Sequence, residues 1–284
     1  MGYFAFSTTP YKVSKPSRMD VLFAGLRSQK KKGLVVYITG GDPSLSDTLE
    51  IIHTFEEAGV DMLELGIPFS DPLADGPTIQ AATQRALRAG ASVEKILGLI
   101  SCLRKSSSFP VILFTYLNPI YFYGFGRFLT DAIAVGADGL LILDLPHDEI
   151  ACNQDLVIMN QQLQIIQLIS PTTPQERIPH LVKAAQGFIY CVAREGVTGE
   201  RAKLPATLCT QIQSIRQHTH LPIAVGFGIS TPAQVRIVAA HADAVVIGSA
   251  IVRHIAEHSS SSLHWRLKKL KEFIEPLVQA LHAA

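Results

Sequence analysis

The stretch Ala58-Gly59-Val60-Asp61-Met62-Leu63-Glu64-Leu65-Gly66 shows how this chain passes from a helix into a buried strand. A glycine that accepts the left-handed conformation ends the helix, and an apolar run follows it at once. The same device recurs at Val135-Gly136-Ala137-Asp138 and, more loosely, at Ala240-His241-Ala242-Asp243. A device that recurs in distant segments indicates one architecture built from repeated units.

Eight short apolar runs are predicted to be strands that are buried on both faces. They are Leu34 to Ile38, Asp61 to Gly66, Val111 to Thr115, Gly139 to Leu143, Gln164 to Leu168, Phe188 to Val192, Pro222 to Gly226 and Ala244 to Ile247. Helical patterns lie between these runs, and strands that alternate with helices imply a parallel sheet. Eight such units can close into a ring, so we predict an α/β fold of the (β/α)8 TIM-barrel type. A doubly wound open sheet shows the same alternation and stays an alternative at this point.

The length of the chain agrees with one barrel, which typically needs about 250 residues. The chain has 284 residues and no linker rich in Gly, Pro or Ser. We therefore predict a single TIM-barrel domain over residues 16–284, preceded by a flexible extension over residues 1–15. Extra helices are predicted before the first strand, at Arg18 to Gln29, and at the end of the chain, at Trp265 to Leu281.

The charge balance limits the class of partner. Lysine plus arginine number 25 against 24 for aspartate plus glutamate, so the chain lacks the basic field that nucleic acid or an anionic membrane requires. The uncharged stretch from Ser106 to Gly126 is interrupted by Pro110, Pro119 and Gly124, which disfavours a membrane-spanning helix. The four cysteines show neither pairing nor metal-ligand spacing, and free thiols predict a cytoplasmic location.

Two carboxylates are predicted to meet at one end of the barrel. The alternation within the second strand places Leu63 and Leu65 on its outer face and Glu64 on its inner face. Active sites of barrels lie at the carboxyl ends of the strands, and burial there raises the pKa of a carboxyl and suits proton transfer. Asp75 follows on the loop directly above, and two acids in unlike surroundings suit separate acid and base roles. The alternatives are a structural glutamate and a helix-capping aspartate.

Three glycine-bearing turns follow the last three predicted strands. They are Gly196-Val197-Thr198-Gly199, Gly226-Phe227-Gly228-Ile229-Ser230 and Gly248-Ser249. Glycines let backbone N–H groups approach an anion closely, and barrels often bind phosphate with the loops after strands seven and eight and a helix N-terminus. Because the chain lacks a Walker lysine motif and a dinucleotide fingerprint, the pattern predicts a small phosphorylated substrate.

Two further groups of residues carry weaker signals. The segment His218-Thr219-His220 lies in a polar connector without carboxylate partners, so we predict no metal site there. Tyr116, Tyr121 and Tyr123 follow the third strand. The sequence leaves three roles open for these tyrosines: internal packing, a partner surface and substrate contact.

The segment Leu63-Glu64-Leu65-Gly66-Ile67-Pro68-Phe69-Ser70-Asp71-Pro72-Leu73-Ala74-Asp75-Gly76-Pro77 resembles the signature of tryptophan synthase alpha subunits. Other motifs of that family occur in family order, so the resemblance covers roughly residues 18 to 280. These motifs are Gly41-Asp42-Pro43, Tyr116-Leu117-Asn118-Pro119-Ile120, Asp144-Leu145-Pro146, Arg194-Glu195-Gly196-Val197-Thr198-Gly199, Gly226-Phe227-Gly228-Ile229 and Gly248-Ser249-Ala250-Ile251-Val252.

The resemblance implies an activity, the retro-aldol cleavage of indole-3-glycerol phosphate into indole and glyceraldehyde 3-phosphate in tryptophan biosynthesis. Asp75 would then hold the indole N–H, and Glu64 would move protons at indole C3 and at the glycerol hydroxyl. By the same resemblance, this chain needs no metal and no cofactor. The expected partner is a pyridoxal-phosphate-dependent beta subunit, which receives indole through a tunnel in an alpha2beta2 heterotetramer.

The same resemblance assigns residues to three surfaces, and Thr198 belongs to a loop that closes over the substrate. The substrate pocket comprises Tyr37, Phe114, Tyr190, Thr198 and Phe227, the phosphate site Gly199, Gly228, Gly248 and Ser249, and the partner interface Asp71, Pro72 and Asn118. The chain departs from the family in its N-terminal extension, in Tyr37 and in Glu195 beside the lid. These departures bear on the subunit contacts and on lid closure.

Two other functions remain open at the level of sequence. A non-catalytic partner that only activates a beta subunit would keep the barrel, but the presence of both Glu64 and Asp75 argues against it. Another phosphate-binding barrel, such as a pentose-phosphate epimerase or a related isomerase, is expected to show different acid-base motifs.

Overall fold

The computed structural model describes residues 16–152, 163–193, 206–226 and 228–282. The strands are β1 (Gly33–Thr39), β2 (Met62–Gly66), β3 (Val111–Thr115), β4 (Gly139–Ile142), β5 (Gln164–Ile165), β6 (Gln167–Ile169), β7 (Ile189–Val192), β8 (Ile223–Gly226) and β9 (Ala244–Ile247). The helices are α1 (Arg18–Ser28), α2 (Leu45–Glu57), α3 (Pro77–Arg88), α4 (Val93–Leu103), α5 (Leu117–Tyr123), α6 (Phe125–Ala134), α7 (His147–Cys152), α8 (Ile178–Ala184), α9 (Ala206–Arg216), α10 (Pro232–Ala239), α11 (Ser249–Glu257) and α12 (Leu263–His282).

The nine described strands are parallel and form one sheet, in the order β5-β4-β3-β2-β1-β9-β8-β7-β6. The strands β5 and β6 stand at the two ends of that order, yet only Ile166 separates them in the chain. The N–H of Ile166 donates to the carbonyl of Leu140 in β4 at 2.9 Å. The chain itself therefore bridges the two ends of the ring at this residue. The predicted TIM barrel is confirmed, and the open doubly wound sheet is excluded.

Each of the eight predicted apolar runs contains a strand, and the fifth run is divided into β5 and β6. The predicted extra helices are confirmed as α1 and α12. The division into an extension over residues 1–15 and one barrel domain over residues 16–284 stays a prediction, because residues 1–15 lie outside the described residues.

The barrel has two apolar layers. Strand residues such as Val36, Leu63 and Leu65 pack outward in a large cluster with the surrounding helices. The intervening strand residues fill the inside together with Met19 and Phe23 of α1. The interior members from the strands include Val35, Met62, Ile112, Leu141 and Val246. Helix α1 thus closes one end of the barrel, which leaves the carboxyl ends of the strands as the open end.

The repeated aspartates hold the opposite ends of the strands together. Each one precedes a strand and accepts a hydrogen bond, through its side chain, from an N–H at the beginning of the neighbouring strand. These bonds join Asp61 to Leu34 at 2.7 Å, Asp138 to Val111 at 2.8 Å and Asp243 to Ile223 at 2.8 Å. In all three pairs the aspartate also donates its own N–H to the carbonyl of the same partner at 2.9 Å. The sequence repeat therefore encodes a two-bond clamp between adjacent strands.

Asp138 forms the most extensively bonded clamp of the three. Its carboxylate is buried and also accepts hydrogen bonds from Arg18 and Arg104, each at 2.8 Å. We expect Asp138→Asn to lower the free energy of unfolding by about 3 kcal/mol, because Arg18 and the largely buried Arg104 would both lose their shared counter-charge. Urea unfolding followed by circular dichroism measures this change.

The matched control is Asp148→Asn, which breaks an ion pair with Arg177 of the same 2.8 Å length. In that pair the side chains are 75% and 48% exposed, so the loss should stay below about 1 kcal/mol. Equal losses in the two variants would show that the Asp138 clamp does not stabilise the barrel.

Candidate active site

Glu64 lies at the centre of β2 and is 1% exposed. Its neighbours Leu63 and Leu65 belong to the outer layer, whereas Met62 belongs to the interior cluster. Because the side chains of a strand alternate between its two faces, Glu64 points with Met62 into the barrel. The strand therefore places this carboxyl group where the alternation in the sequence predicts it.

The surroundings of Glu64 favour its neutral form. Its Oε1 atom is buried and has no hydrogen-bond partner among the described residues. Burial raises the pKa of this carboxyl from 4.5 to about 8. Both protonation states are then accessible near neutral pH, which suits a group that must donate a proton in one step and accept one in another.

The raised pKa of Glu64 has a consequence for stability. Because the pKa of about 8 in the folded state lies above the 4.5 of the ordinary group, the folded state binds this proton more tightly than the unfolded state. The free energy of unfolding therefore falls as the pH rises through this interval. Relative to Glu64→Gln, which cannot titrate, we expect the wild type to lose roughly 3 kcal/mol between about pH 5 and about pH 8.

Urea unfolding of both chains at several pH values tests this expectation. The other titrating groups are the same in both chains, so their contributions cancel to a first approximation in the difference. A difference between the two chains that stays constant over this pH range would contradict the burial of an ionisable Glu64.

Asp75 lies on the loop between β2 and α3 and is half-buried. Burial raises the pKa of its carboxyl, and a hydrogen bond from the Tyr116 hydroxyl opposes that rise. This hydroxyl donates to Oδ2 of Asp75 at 3.1 Å and accepts from the N–H of Ala74 at 3.0 Å. Tyr116 directly follows β3, so the loop that carries Asp75 is fastened to the end of the adjacent strand.

Tyr37 shows that the two acids lie at the same end of the barrel. It is the partner of Glu64 in the register of β1 and β2. Its pKa is raised first by burial and then by the carboxylates of Asp75 and Glu64, while a hydrogen bond with Thr39 lowers it. The oxygens of the Tyr37 and Thr39 hydroxyls are 3.3 Å apart. A single phenol is therefore within electrostatic range of both predicted acids.

The predicted walls of the substrate pocket are only partly described. Tyr37 meets Phe114 of β3 edge-on, with ring centroids 5.1 Å apart. Tyr190 of β7 lies over Gly226 of β8, where an added Cβ would come within 2.9 Å of its Cζ atom. Glu64 also acts on Tyr190, whose pKa is raised by burial first and by this carboxylate second. Tyr190 is therefore within electrostatic range of Glu64.

Gly66 of β2 has the same relation to Tyr37 as Gly226 has to Tyr190. An added Cβ at Gly66 would lie 2.8 Å from the Cζ atom of Tyr37. At both positions a tyrosine extends across the end of the next strand, and only a residue without a side chain leaves it room. Glycine at positions 66 and 226 is therefore required to leave room for these two tyrosine rings.

Three of the four residues predicted for the phosphate site, Gly228, Gly248 and Ser249, are among the described residues. Gly248 directly precedes α11, has no side chain to cap it, and is followed by the exposed Ser249. The first N–H groups of a helix have no partners within the helix, so they are available to an anion. Gly228 adopts a positive φ of 70°, a conformation that favours glycine.

The neighbouring helix α10 differs, because its own side chains satisfy its N-terminus. Gln234 accepts hydrogen bonds from the N–H groups of Ser230 and Thr231, and Thr231 accepts one from the N–H of Gln234. The start of α11 is thus the better place for an anion. Gly199, which is predicted for the phosphate site, lies outside the described residues, as do Thr198 and Phe227, which are predicted for the substrate pocket.

The residues predicted for the partner interface lie on the loop that carries Asp75 and on α5. Asp71 and Asn118 are exposed, and Pro72 is half-buried. Close to them in the chain are three large apolar side chains that face solvent, Leu73 at 94%, Tyr121 at 78% and Phe122 at 91% exposure. Large apolar groups that face solvent are typical of interaction surfaces. These six residues are called the docking surface below.

The structure gives different roles to the tyrosines that the sequence left open. Tyr116 is buried and bonds to Asp75, whereas Tyr121 is exposed on the docking surface. Tyr123 donates to Oδ2 of Asp131 at 2.8 Å, away from both acids. The sequence did not assign Tyr116 to the acid pair, because the two residues are 41 positions apart and only the adjacency of the second and third strands joins them.

Two further properties concern the described residues alone. None of their His, Cys, Asp and Glu side chains form a group of three or more that could hold a metal ion. None of their helices is both long and apolar enough to cross a membrane.

Comparison with known proteins gives one consistent family. Residues 23–282 match the family model described as "Tryptophan synthase alpha chain". The tryptophan synthase alpha chain of Geotalea daltonii is 45% identical over 253 residues, which cover 89% of this chain and 96% of that protein. The one from Carboxydothermus hydrogenoformans is 43% identical over 267 residues, with 93% and 98% coverage.

Solved structures give the same result for the fold. The crystal structure of tryptophan synthase subunit alpha from Legionella pneumophila aligns with a TM-score of 0.85 at 34% identity and covers 95% of this chain and 100% of that one. A chain of Mycobacterium tuberculosis tryptophan synthase aligns with a TM-score of 0.83 at 30% identity, with 94% and 99% coverage.

Proposed function

Because the chain belongs to the tryptophan synthase alpha chain family, we propose that its Glu64 and Asp75 carry out the reaction of that family. The reaction cleaves indole-3-glycerol phosphate into indole and glyceraldehyde 3-phosphate, so the chain is a carbon-carbon lyase of tryptophan biosynthesis. One observation supports the assignment most strongly. Glu64 is a buried carboxyl with an unpartnered oxygen and a pKa of about 8, at the same end of the barrel as Asp75.

The first step is a proton transfer to the indole ring. Protonated Glu64 donates to indole C3, which interrupts the aromatic system and leaves positive charge at the ring nitrogen. Asp75 accepts a hydrogen bond from the indole N–H and stabilises that charge. A carboxylate aimed at developing positive charge lowers the barrier, because its position is fixed before the reaction begins.

The second step returns the proton and breaks the bond. Glu64, now a carboxylate, takes the proton of the hydroxyl on the side-chain carbon attached to C3. The carbonyl of glyceraldehyde 3-phosphate forms as the carbon–carbon bond breaks, and the bonding electrons return to the ring to give indole. Glu64 ends the cycle protonated, so no external acid or base is consumed.

The remaining pocket residues orient the substrate between these two acids. Tyr37, Phe114 and Tyr190 provide aromatic surfaces for the indole, and we assign Phe227 and Thr198 to the same pocket on the strength of the family resemblance. Gly228, Gly248 and Ser249, together with Gly199, bind the phosphate. Support for the phosphate site comes from the start of α11, where backbone N–H groups and the helix dipole favour an anion.

The direct test is release of indole from indole-3-glycerol phosphate by the purified chain. We expect Glu64→Gln to lower kcat by about 10³-fold, since it removes the group that handles both protons. Asp75→Asn should also lower kcat, because an amide cannot offset the charge on the ring. The control is Glu57→Gln, an exposed glutamate at the end of α2, which should leave the rate unchanged.

The result separates this function from its competitors. If the wild type releases no indole even with a beta subunit present, the chain is a non-catalytic activator. If it releases indole but Glu64→Gln does so equally fast, the cleavage takes place without the proposed acid.

We further propose the assembly in which the chain works. The docking surface binds a tryptophan synthase beta subunit in an alpha2beta2 heterotetramer, and indole passes to that subunit through a tunnel. Pyridoxal phosphate belongs to the beta subunit, and the alpha chain binds neither a cofactor nor a metal of its own. The place of action is the cytoplasm.

The exposed phenyl ring of Phe122 provides a test of the docking surface. Because this side chain is 91% exposed, Phe122→Asp should fold normally, but its charge would be buried in the proposed interface. We expect the affinity for the beta subunit, measured by isothermal titration calorimetry, to fall by at least about tenfold. The control is Val21→Asp on α1, also exposed but at the closed end of the barrel. Equal affinities for the two variants would place the interface elsewhere.

A further inference from the structure

We propose that Tyr116 is a positioning residue that holds the Asp75 carboxylate in place for the reaction. This inference rests on the proposed role of Asp75 and adds a residue that the acid pair depends on. Tyr116 directly follows β3 and is 5% exposed. Its ring lies against Phe69 with centroids 5.5 Å apart, so its hydroxyl is held in a fixed direction.

The direction of the two hydrogen bonds at this hydroxyl follows from the chemistry of the groups. A backbone N–H can only donate, so the Tyr116 oxygen must accept the bond from Ala74 at 3.0 Å. The single proton of the phenol is then left for the Asp75 oxygen at 3.1 Å. Tyr116 therefore fixes two successive residues of the loop, one through its backbone and one through its carboxylate.

This bond helps to keep Asp75 in the form that the reaction needs. Burial alone would raise the pKa of Asp75 and favour a neutral acid, and the Tyr116 hydroxyl opposes that rise. Two other ionisable groups interact with Tyr116 or Asp75. Both residues raise the pKa of Tyr37, and Asp144 raises the pKa of Tyr116. Among Tyr37, Asp144 and Tyr116, only Tyr116 donates a hydrogen bond to the Asp75 carboxylate.

Tyr116→Phe removes this donor while it keeps the ring. We expect kcat for indole release to fall between about 10- and 100-fold, because a hydrogen bond to a charged group is lost where charge develops. The acid limb of the plot of kcat/KM against pH should move to higher pH, since the pKa of Asp75 rises when the hydroxyl is removed. KM should change less than kcat.

The chain offers a closely matched control in Tyr123→Phe. Tyr123 ends α5, and its hydroxyl also donates to a carboxylate, that of Asp131 at 2.8 Å, but outside the acid pair. This variant should keep the wild-type kcat and pH profile. A loss of similar size in both variants would mean that damage to α5, rather than the position of Asp75, lowers the rate.

The double variant Tyr116→Phe/Asp75→Asn separates positioning from general structural damage. If Tyr116 acts through Asp75, its removal causes no further loss once Asp75→Asn is present. A structural effect, such as the unpaired N–H of Ala74, would persist and multiply the two losses. The inference about Tyr116 would be overturned if the two losses multiply, or if the Tyr116→Phe chain keeps the wild-type kcat and pH profile. In either case the proposed function would still stand, provided that the wild type cleaves the substrate and the Asp75→Asn chain is impaired. Absence of wild-type cleavage would instead overturn the proposed function.

Discussion

The burial of one carboxyl group inside the ring of strands is the constraint on which the site depends. Glu64 can be almost wholly shielded only because Leu63 and Leu65 pack outward and the strand continues the closed sheet on both sides. In that setting the neutral acid is the favoured form, and the pKa moves into the range where one group can serve as both acid and base.

The barrel divides its tasks between its two ends. At the closed end, α1 fills the interior and the aspartate clamps fasten adjacent strands. Because the closed end already holds the strands in place, the residues that follow the strands at the open end are not needed for that task. The two proposed acids come from the first half of the chain, on β2 and its loop. The described residues of the proposed anion site come from the turns before α10 and α11.

The sequence predicts most strongly what depends on short periodic patterns. The two-residue alternation of a strand fixes the inward direction of Glu64, and the helix-ending glycines Gly59 and Gly136 do have positive φ angles. The division of the fifth strand at Ile166 was not predictable, because an apolar residue in an apolar run gives no signal of a break. The sequence also gives no sign of the clamp role of the repeated aspartates, since their partners lie on another strand.

The bond between Tyr116 and Asp75 is invisible in the sequence for the same reason. Of the proposed docking surface, the family resemblance names Asp71, Pro72 and Asn118. The exposed Leu73 and Phe122 are not predicted for this surface, because an apolar residue looks the same in the sequence whether it is buried or faces solvent. Long-range adjacency and exposure are thus the properties that required the folded chain.

The position of Tyr116 has a thermodynamic consequence. This residue immediately precedes α5, which carries Asn118, Tyr121 and Phe122, and it is bonded to Asp75. A protein that binds to α5 and shifts it would move Tyr116 and thereby change the position of the Asp75 carboxylate. Linkage then requires reciprocity: whatever factor the bound protein applies to the affinity for substrate, the substrate applies to the affinity for that protein. Substrate binding in the pocket would thus change the affinity for the bound protein, just as that protein changes the affinity for substrate.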